Sequence, residues 1–393
     1  MVVDGSFADH QRAGDFLIGL TGGQQFNNFQ FPPRDVVAHI PGIGVDTTRV
    51  GTPDDAWGLD CVRPEIFLSA GGGHGRSAVT SHCRQSRCMM ACSALIPLLQ
   101  DVLARGGFAI TAEVTPPRGA DVTRTLEAAA HLRGRVHAVN VTDGSRAMMR
   151  MCSLAVCRRL LDVGIEPVLQ LTCRDRNRLA LQADLLGAHA LGIRNVLCLT
   201  GDPVRSGDQP QARPVNELEA VRLLRQVQAF NAGEDPVQGS LPDGATALFP
   251  GGAADPHSAS WSGLKSRISK KHAAGARFIQ TQMVMDPEHL RRFVGDITAP
   301  LGLPVLAGVF LLKSARNAEF INRVVPGACI PEALIVRLAE AQDPAAEGIK
   351  IAAEQVEIYR PLAQGVHLMA VRAEERIPEI LNQAGILDLD SLG

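Results

Sequence analysis

Eight short apolar runs, each followed by a segment of helical period, fill the chain from about residue 94 onward, and this alternation limits the possible folds more than any other feature. The runs lie at 108–113, 136–142, 167–173, 194–199, 245–249, 278–282, 305–309 and 365–369. Helical periods occupy 146–163, 178–191, 217–230, the stretch through Lys271, 287–294, 315–324 and 375–383. Runs apolar on both faces belong to a parallel sheet, because crossover helices cover both sides of it. About eight such units predict an α/β fold, a closed (β/α)8 TIM barrel, rather than an open doubly wound sheet. The glycine motifs of dinucleotide and P-loop folds are missing from the strand ends where a Rossmann-type sheet would need them.

The first part of the chain reads differently. Gly, Pro and Asp interrupt every apolar run in 1–93, which predicts a poorly ordered extension, with the enzyme proper starting near Met89 or Met90 and the barrel spanning 94–393. Leu95, Leu98, Leu99, Val102 and Leu103 form an amphipathic entry to the first strand. His82, Cys83, Cys88 and Cys92 make an H-C-x4-C-x3-C cluster, but its spacing is irregular for zinc or iron–sulfur ligation and no metal site is expected. Cys152, Cys157, Cys173 and Cys198 sit in apolar stretches and read as small buried hydrophobes of a reduced protein. A net charge of −2 disfavours a nucleic-acid binder, and no apolar run is long enough to span a membrane, so the expected location is cytoplasmic.

In a barrel the chemistry stands where the strands end. The first ends in Glu113 before Val-Thr-Pro-Pro-Arg, the second in Asn140-Val-Thr-Asp143, and the third in Gln170-Leu-Thr-Cys-Arg-Asp175. The fourth ends in Thr200-Gly201-Asp202 and the sixth in Gln280-Thr-Gln282, while the last carries His367 and Arg372. Asp175 and Asp208 read as helix caps. Glu113 does not, because two prolines follow and remove the backbone donors a cap would engage.

Five of these motifs in order resemble the methylenetetrahydrofolate reductase family, flavin-dependent barrel enzymes of one-carbon metabolism linked to methionine biosynthesis. They are Ala112-Glu-Val-Thr-Pro-Pro-Arg, Asn140-Val-Thr-Asp, Leu171-Thr-Cys, Leu199-Thr-Gly-Asp and Ala274-Gly-Ala-Arg-Phe-Ile-Gln-Thr-Gln. The resemblance implies reduction of 5,10-methylenetetrahydrofolate to 5-methyltetrahydrofolate by hydride transfer through FAD or FMN, with NAD(P)H as electron donor and a homo-oligomeric assembly. It makes Glu113 the general acid and Asp202 the carboxylate beside flavin and pterin. Gln282 and Arg372 become folate contacts, and Thr142, Gln170, Thr200, Gly201, Phe249 and Lys271 flavin contacts.

Three departures bear on the cofactor. Gln170 replaces a flavin-contacting histidine, Thr200 stands where many members have arginine, and the seventh strand reads Ala307-Gly-Val-Phe-Leu311. These resemble the branch that includes reductases of acetogenic bacteria, in which FMN serves and electrons arrive through a redox partner subunit. Two other readings stay open: an electron-transfer or regulatory subunit of a folate reductase complex, and a folate-binding methyltransferase barrel without flavin.

Overall fold

The computed structural model describes residues 98–325, 327–389 and 392. The cluster at His82–Cys92 and the expected extension therefore lie outside the described residues.

Strands β1 (Ala109–Val114), β2 (Ala138–Val141), β3 (Pro167–Thr172), β4 (Asn195–Leu199), β7 (Phe249–Ala254), β8 (Phe278–Met283), β9 (Val305–Phe310) and β10 (Gly365–Met369) close into a parallel barrel in the order β1-β10-β9-β8-β7-β4-β3-β2. Two short strands, β5 (Glu234–Asp235) and β6 (Gly239–Ser240), form a small antiparallel pair on the way to β7. The expected barrel is thus the observed one. No helix among the described residues is long and apolar enough to cross a membrane.

Each strand points alternate residues into the barrel and out to the helices. Outward residues such as Ile110, Val139, Leu169, Ile279 and Val366 are fully buried against the helical layer. Inward residues at the N-terminal end form a floor of Ala109, Ala138, Val168, Leu197, Phe249, Phe278 and Leu306. Helix α1 (Leu99–Ala104) plugs that floor with Leu99, Val102 and Leu103. A large apolar side chain buried this way contributes about 1.5–3 kcal/mol.

The fifth barrel strand departs from the expected limits. The sequence suggests 245–249, ending before Pro250-Gly-Gly, whereas β7 begins at Phe249 and runs through those glycines. The glycines make room: a Cβ at Gly251 would lie 2.2 Å from the Phe278 ring, and one at Gly252 would lie 3.0 Å from Lys271 Cδ. A strand glycine here marks close packing, not a chain break.

Two further corrections concern helix starts. The helix expected from 146 begins at Ser153, and the preceding segment is a turn in which Gly144, Arg146 and Ala147 have φ of 53°, 57° and 55°. Asp175 and Asp208 cap no helix: Asn177 caps Arg178–Ala190 through Ala180 N–H, while Asp175 grips Arg174 and Asp208 pairs with Arg118 at 2.5 Å. Helices Glu332–Glu340 and Pro344–Tyr359 fill the long connection before β10.

Candidate active site

Inward positions change character along the strands. Above the apolar floor come Thr111, Asn140, Gln170, Gln280 and His367, all buried, followed by Glu113 and Gln282 near the C-terminal rim. They surround a cavity of about 390 Å³ lined by Glu113, Gln170, Asp255, Gln280, Gln282 and His367, with Leu197, Leu199 and Met369 on the apolar side. Three of the site residues expected from sequence, Glu113, Gln170 and Gln282, thus share one cavity.

Local backbone irregularity aims Gln282. The β8–β9 ladder shifts register between Gln280 and Met283, and Gly308 N–H donates to Thr281 Oγ1 at 2.8 Å in place of a regular ladder bond. Gly308 permits this approach, since a Cβ there would sit 2.6 Å from Gln282 O. Bulges of this kind redirect side chains beside active sites. Gln282 Oε1 accepts Met283 N–H at 2.9 Å, which leaves its NH2 group as donor to the cavity. Gln280 Oε1 accepts Asn140 Nδ2 at 2.8 Å, with the same consequence for its own NH2 group.

Two carboxyl groups line the cavity. Asp255 Oδ1 accepts His257 N–H at 2.9 Å, and the Gly327 turn packs so closely that a Cβ there would meet Asp255 Oδ2 at 2.3 Å. Glu113 faces the buried His367 imidazole, with Oε2 3.6 Å from Nε2. Neither Asp255 nor the Asn140–Gln280 bond was expected from sequence. An acidic residue just past a barrel strand is the signal that marks Asp255, obscured there by the misplaced end of β7.

The other expected residues lie around this cavity rather than on its wall. Thr142 is buried with Oγ1 unpartnered, one residue beyond β2. Thr200 Oγ1 accepts Ala220 N–H at 3.3 Å at the start of the following helix. Gly201 has φ of 94°, and a Cβ would press on Arg174 Cβ at 2.9 Å and Thr172 Cβ at 3.1 Å. Asp202 is exposed, and its Oδ2 accepts Arg146 N–H at 2.6 Å. Arg372 is exposed in a left-handed conformation, φ 57°, with its N–H donating to Glu374.

Lys271 stands behind β7, its Nζ donating to Ala253 O, and burial lowers its pKa to about 8. Phe249 requires a correction. It is a floor residue stacked on Phe278 with ring centroids 5.4 Å apart, at the opposite end of the barrel from the rim. Because β7 starts rather than ends there, Phe249 is not part of the site.

A neighbouring cavity of about 280 Å³ lies between the loops after β2, β3 and β4, lined by Asp143, Gly144, Arg150, Cys152, Arg174, Arg176 and Gln209 among others. Its polar groups are largely satisfied internally. Asp143 accepts Thr172 N–H and Oγ1–H at 2.9 and 2.8 Å and pairs with Arg176 at 2.7 Å, which ties β2 to β3. Cys152 is exposed here, not buried as its apolar surroundings suggested, whereas burial raises the thiol pKa of Cys157 and Cys198 and lifts that of Cys173 to about 12. A larger cavity of about 790 Å³ beside the floor is lined mainly by apolar residues and loop glycines.

The family model for methylenetetrahydrofolate reductase matches residues 98–385. Methylenetetrahydrofolate reductase 2 of Schizosaccharomyces pombe is 27% identical over 242 residues, covering 57% of this chain and 36% of the relative. The probable methylenetetrahydrofolate reductase (NADPH) of Caenorhabditis elegans is 24% identical over 252 residues, covering 61% of this chain and 35% of the relative. The chain thus spans about a third of the length of the curated relatives it matches. Among solved structures, an F420-dependent secondary alcohol dehydrogenase in complex with an F420-acetone adduct overlaps at 11% identity, covering 71% of this chain and 99% of its own, with a TM-score of 0.48, too loose to bear on function. With the family model covering most of its length, the chain belongs to the methylenetetrahydrofolate reductase family.

Proposed function

We propose that this barrel reduces 5,10-methylenetetrahydrofolate to 5-methyltetrahydrofolate through a bound flavin, with Glu113 as the general acid. The observation that carries the reading is the placement of Glu113 in one cavity wall with the amides of Gln170, Gln280 and Gln282. The donor set fits a flavin and a pterin. Two NH2 groups point inward, and the buried Thr142 Oγ1 and Asn140 Oδ1 lack partners among the described residues. Heterocycles with alternating donors and acceptors along their edges suit such a set.

When bound, the flavin would pass a hydride equivalent from the donor to the methylene carbon of the folate. The protein's part begins with Glu113, which gives its proton to the folate nitrogen bridged by that carbon. The carbon–nitrogen bond opens, the electron pair stays on the nitrogen, and the remaining iminium carbon becomes electrophilic. Gln282 and Gln280 hold the pterin edge, and Gln170 faces the ring bound beside it. Lys271, still mostly protonated at neutral pH, offers a cation to a flavin phosphate. FAD or FMN as the flavin, NAD(P)H or a redox partner subunit as the electron source, Asp202 and Arg372 as folate contacts, Thr142, Thr200 and Gly201 as flavin contacts, and a homo-oligomeric assembly all belong to this proposal.

Separate half-reactions test it. Glu113→Gln keeps size and hydrogen bonding but cannot act as an acid. Reoxidation of the reduced enzyme by methylenetetrahydrofolate should slow by at least about a hundredfold, within the usual range of a general acid, while flavin reduction stays within a few-fold of wild type. Equal slowing of both steps would show Glu113 to be holding the rim, and no slowing would assign the proton to another group.

A further inference from the structure

His367 is 1% exposed and pairs in register with Thr111 across the β1–β10 seam. Its Nδ1 lies 3.0 Å from Thr111 Oγ1, and the same hydroxyl donates to Val366 O at 3.4 Å. A hydroxyl has one hydrogen. When that hydrogen lies on the carbonyl, the oxygen accepts from Nδ1–H and the ring carries its proton on Nδ1. Nε2 is then the lone-pair nitrogen. It is buried, lacks a hydrogen-bond partner among the described residues, and lies 3.6 Å from Glu113 Oε2.

That distance is too long for a hydrogen bond, but a small rotation of the Glu113 side chain closes it, and catalytic contacts often tighten only with substrate bound. A buried acceptor without a partner is costly, and the Glu113 carboxyl is the group that faces this one. Resting on the reading of Glu113 as the acid, we propose that His367 is its positioning residue. Nε2 accepts the Glu113 O–H, aims the carboxyl into the cavity, and releases it when the folate nitrogen takes the proton. The proton passes from the Glu113 oxygen to that nitrogen, whose bond to the methylene carbon breaks with the electron pair retained on nitrogen. Glu113 is left as a carboxylate and is reprotonated from water. Thr111 takes part by fixing the tautomer.

The test uses the flavin-loaded full chain, reduced with dithionite and mixed with 5,10-methylenetetrahydrofolate. His367→Leu should slow reoxidation by about 10- to 100-fold, the size typical of partners that orient a reacting group, with flavin content and melting temperature close to wild type. His367→Gln places an amide oxygen near the Nε2 position and should recover most of the rate. Thr111→Val, of the same shape without the hydroxyl, should show a smaller slowing of the same step. Adding His367→Leu to Glu113→Gln should cost nothing more, because the two residues act as a unit. Nitrogen-15 NMR of the flavin-free protein gives an independent readout: Nε2 should be the unprotonated nitrogen, and Glu113→Gln should move its signal.

A Glu113→Gln defect without a His367→Leu defect would overturn the positioning role and leave the acid in place. Slowing in His367→Leu that His367→Gln does not relieve, or that affects both half-reactions alike, would reduce His367 to a packing residue. An unaffected Glu113→Gln enzyme would instead remove the acid itself, and the present inference with it.

Discussion

The two ends of this barrel are built by the same strands to opposite rules. Along β1 the inward residues run Ala109, Thr111, Glu113; along β3, Val168, Gln170, Thr172; along β8, Phe278, Gln280, Gln282. The floor is apolar and closed by α1, and the mouth carries amides, two carboxyls and an imidazole, some with no partner among the described residues. Unsatisfied buried polar atoms cost stability, so a chain selected for stability alone would fill the mouth as it fills the floor. The contrast separates residues that hold the barrel from residues that await a ligand.

The strongest way to break the comparison is to mutate the floor and look for effects at the mouth. Phe278→Ala removes a ring packed against Phe249 and over Gly251. It should cost about 3–5 kcal/mol, read from the urea midpoint. The ratio of flavin reduction to reoxidation rates in the folded enzyme should stay near that of wild type. If Phe278→Ala changes that ratio as Glu113→Gln does, the division between the two ends fails.

The floor also contains one ionisable group that tests its rule. Burial raises the pKa of Glu166 from 4.5 to about 7, although its carboxyl accepts Leu99 N–H at 3.1 Å and Asn195 Nδ2 at 2.5 Å. The folded protein therefore holds this proton more tightly than the unfolded chain. The resulting stabilisation is complete below about pH 4.5 and is lost as pH rises through about 7, by at most about 3 kcal/mol at 1.36 kcal/mol per unit. Glu166→Gln stays neutral, and Asn195, whose Oδ1 is unpartnered, can turn its amide to suit it. The decline in the urea midpoint between pH 5 and 7.5 should be shallower in Glu166→Gln than in wild type, and parallel curves would refute the assignment.

How much of this could be read from sequence depends on the kind of signal. Strand order and the barrel were legible because outward faces and floor are both apolar, which gives continuous runs. Glu113, Gln170 and Gln282 were legible because polar residues ending such runs have few other reasons to be there. Phe249 was misplaced because Pro250-Gly251-Gly252 looks like a chain break, and only residues distant in sequence, the Phe278 ring against Gly251 and Lys271 against Gly252, explain the glycines. Asp255 was missed by the same error. The bulge at Thr281 and the tautomer of His367 depend on contacts between strands, which no local pattern encodes.

Asp202 is where the comparison can be sharpened by the smallest effect. The resemblance makes it a charge beside flavin and pterin, while in the structure its carboxylate holds the N–H of Arg146 in a turn with Gly144, Arg146 and Ala147 all left-handed. Non-glycine residues in that region store about 1–3 kcal/mol each, so the turn needs an anchor. The loop after β4 supplies three: Asp202 on Arg146, Asp208 on Met149 N–H at 2.8 Å, and Gly207 so close that a Cβ would lie 1.8 Å from Ala147 O. The two roles predict different orders among variants. Asparagine keeps an oxygen for Arg146 N–H but loses the charge, and alanine loses both. If Asp202 mainly clamps the turn, Asp202→Asn should resemble wild type, while Asp202→Ala should expose 144–149 to limited proteolysis and weaken folate binding by about 1–2 kcal/mol, the worth of a hydrogen bond to a charged acceptor. If the charge matters instead, Asp202→Asn and Asp202→Ala should raise the flavin potential alike, because a negative charge near the ring opposes its reduction, and proteolysis should stay unchanged in Asp202→Asn. Flavin potential and cleavage rate measured on the same three proteins decide which end of the comparison Asp202 belongs to.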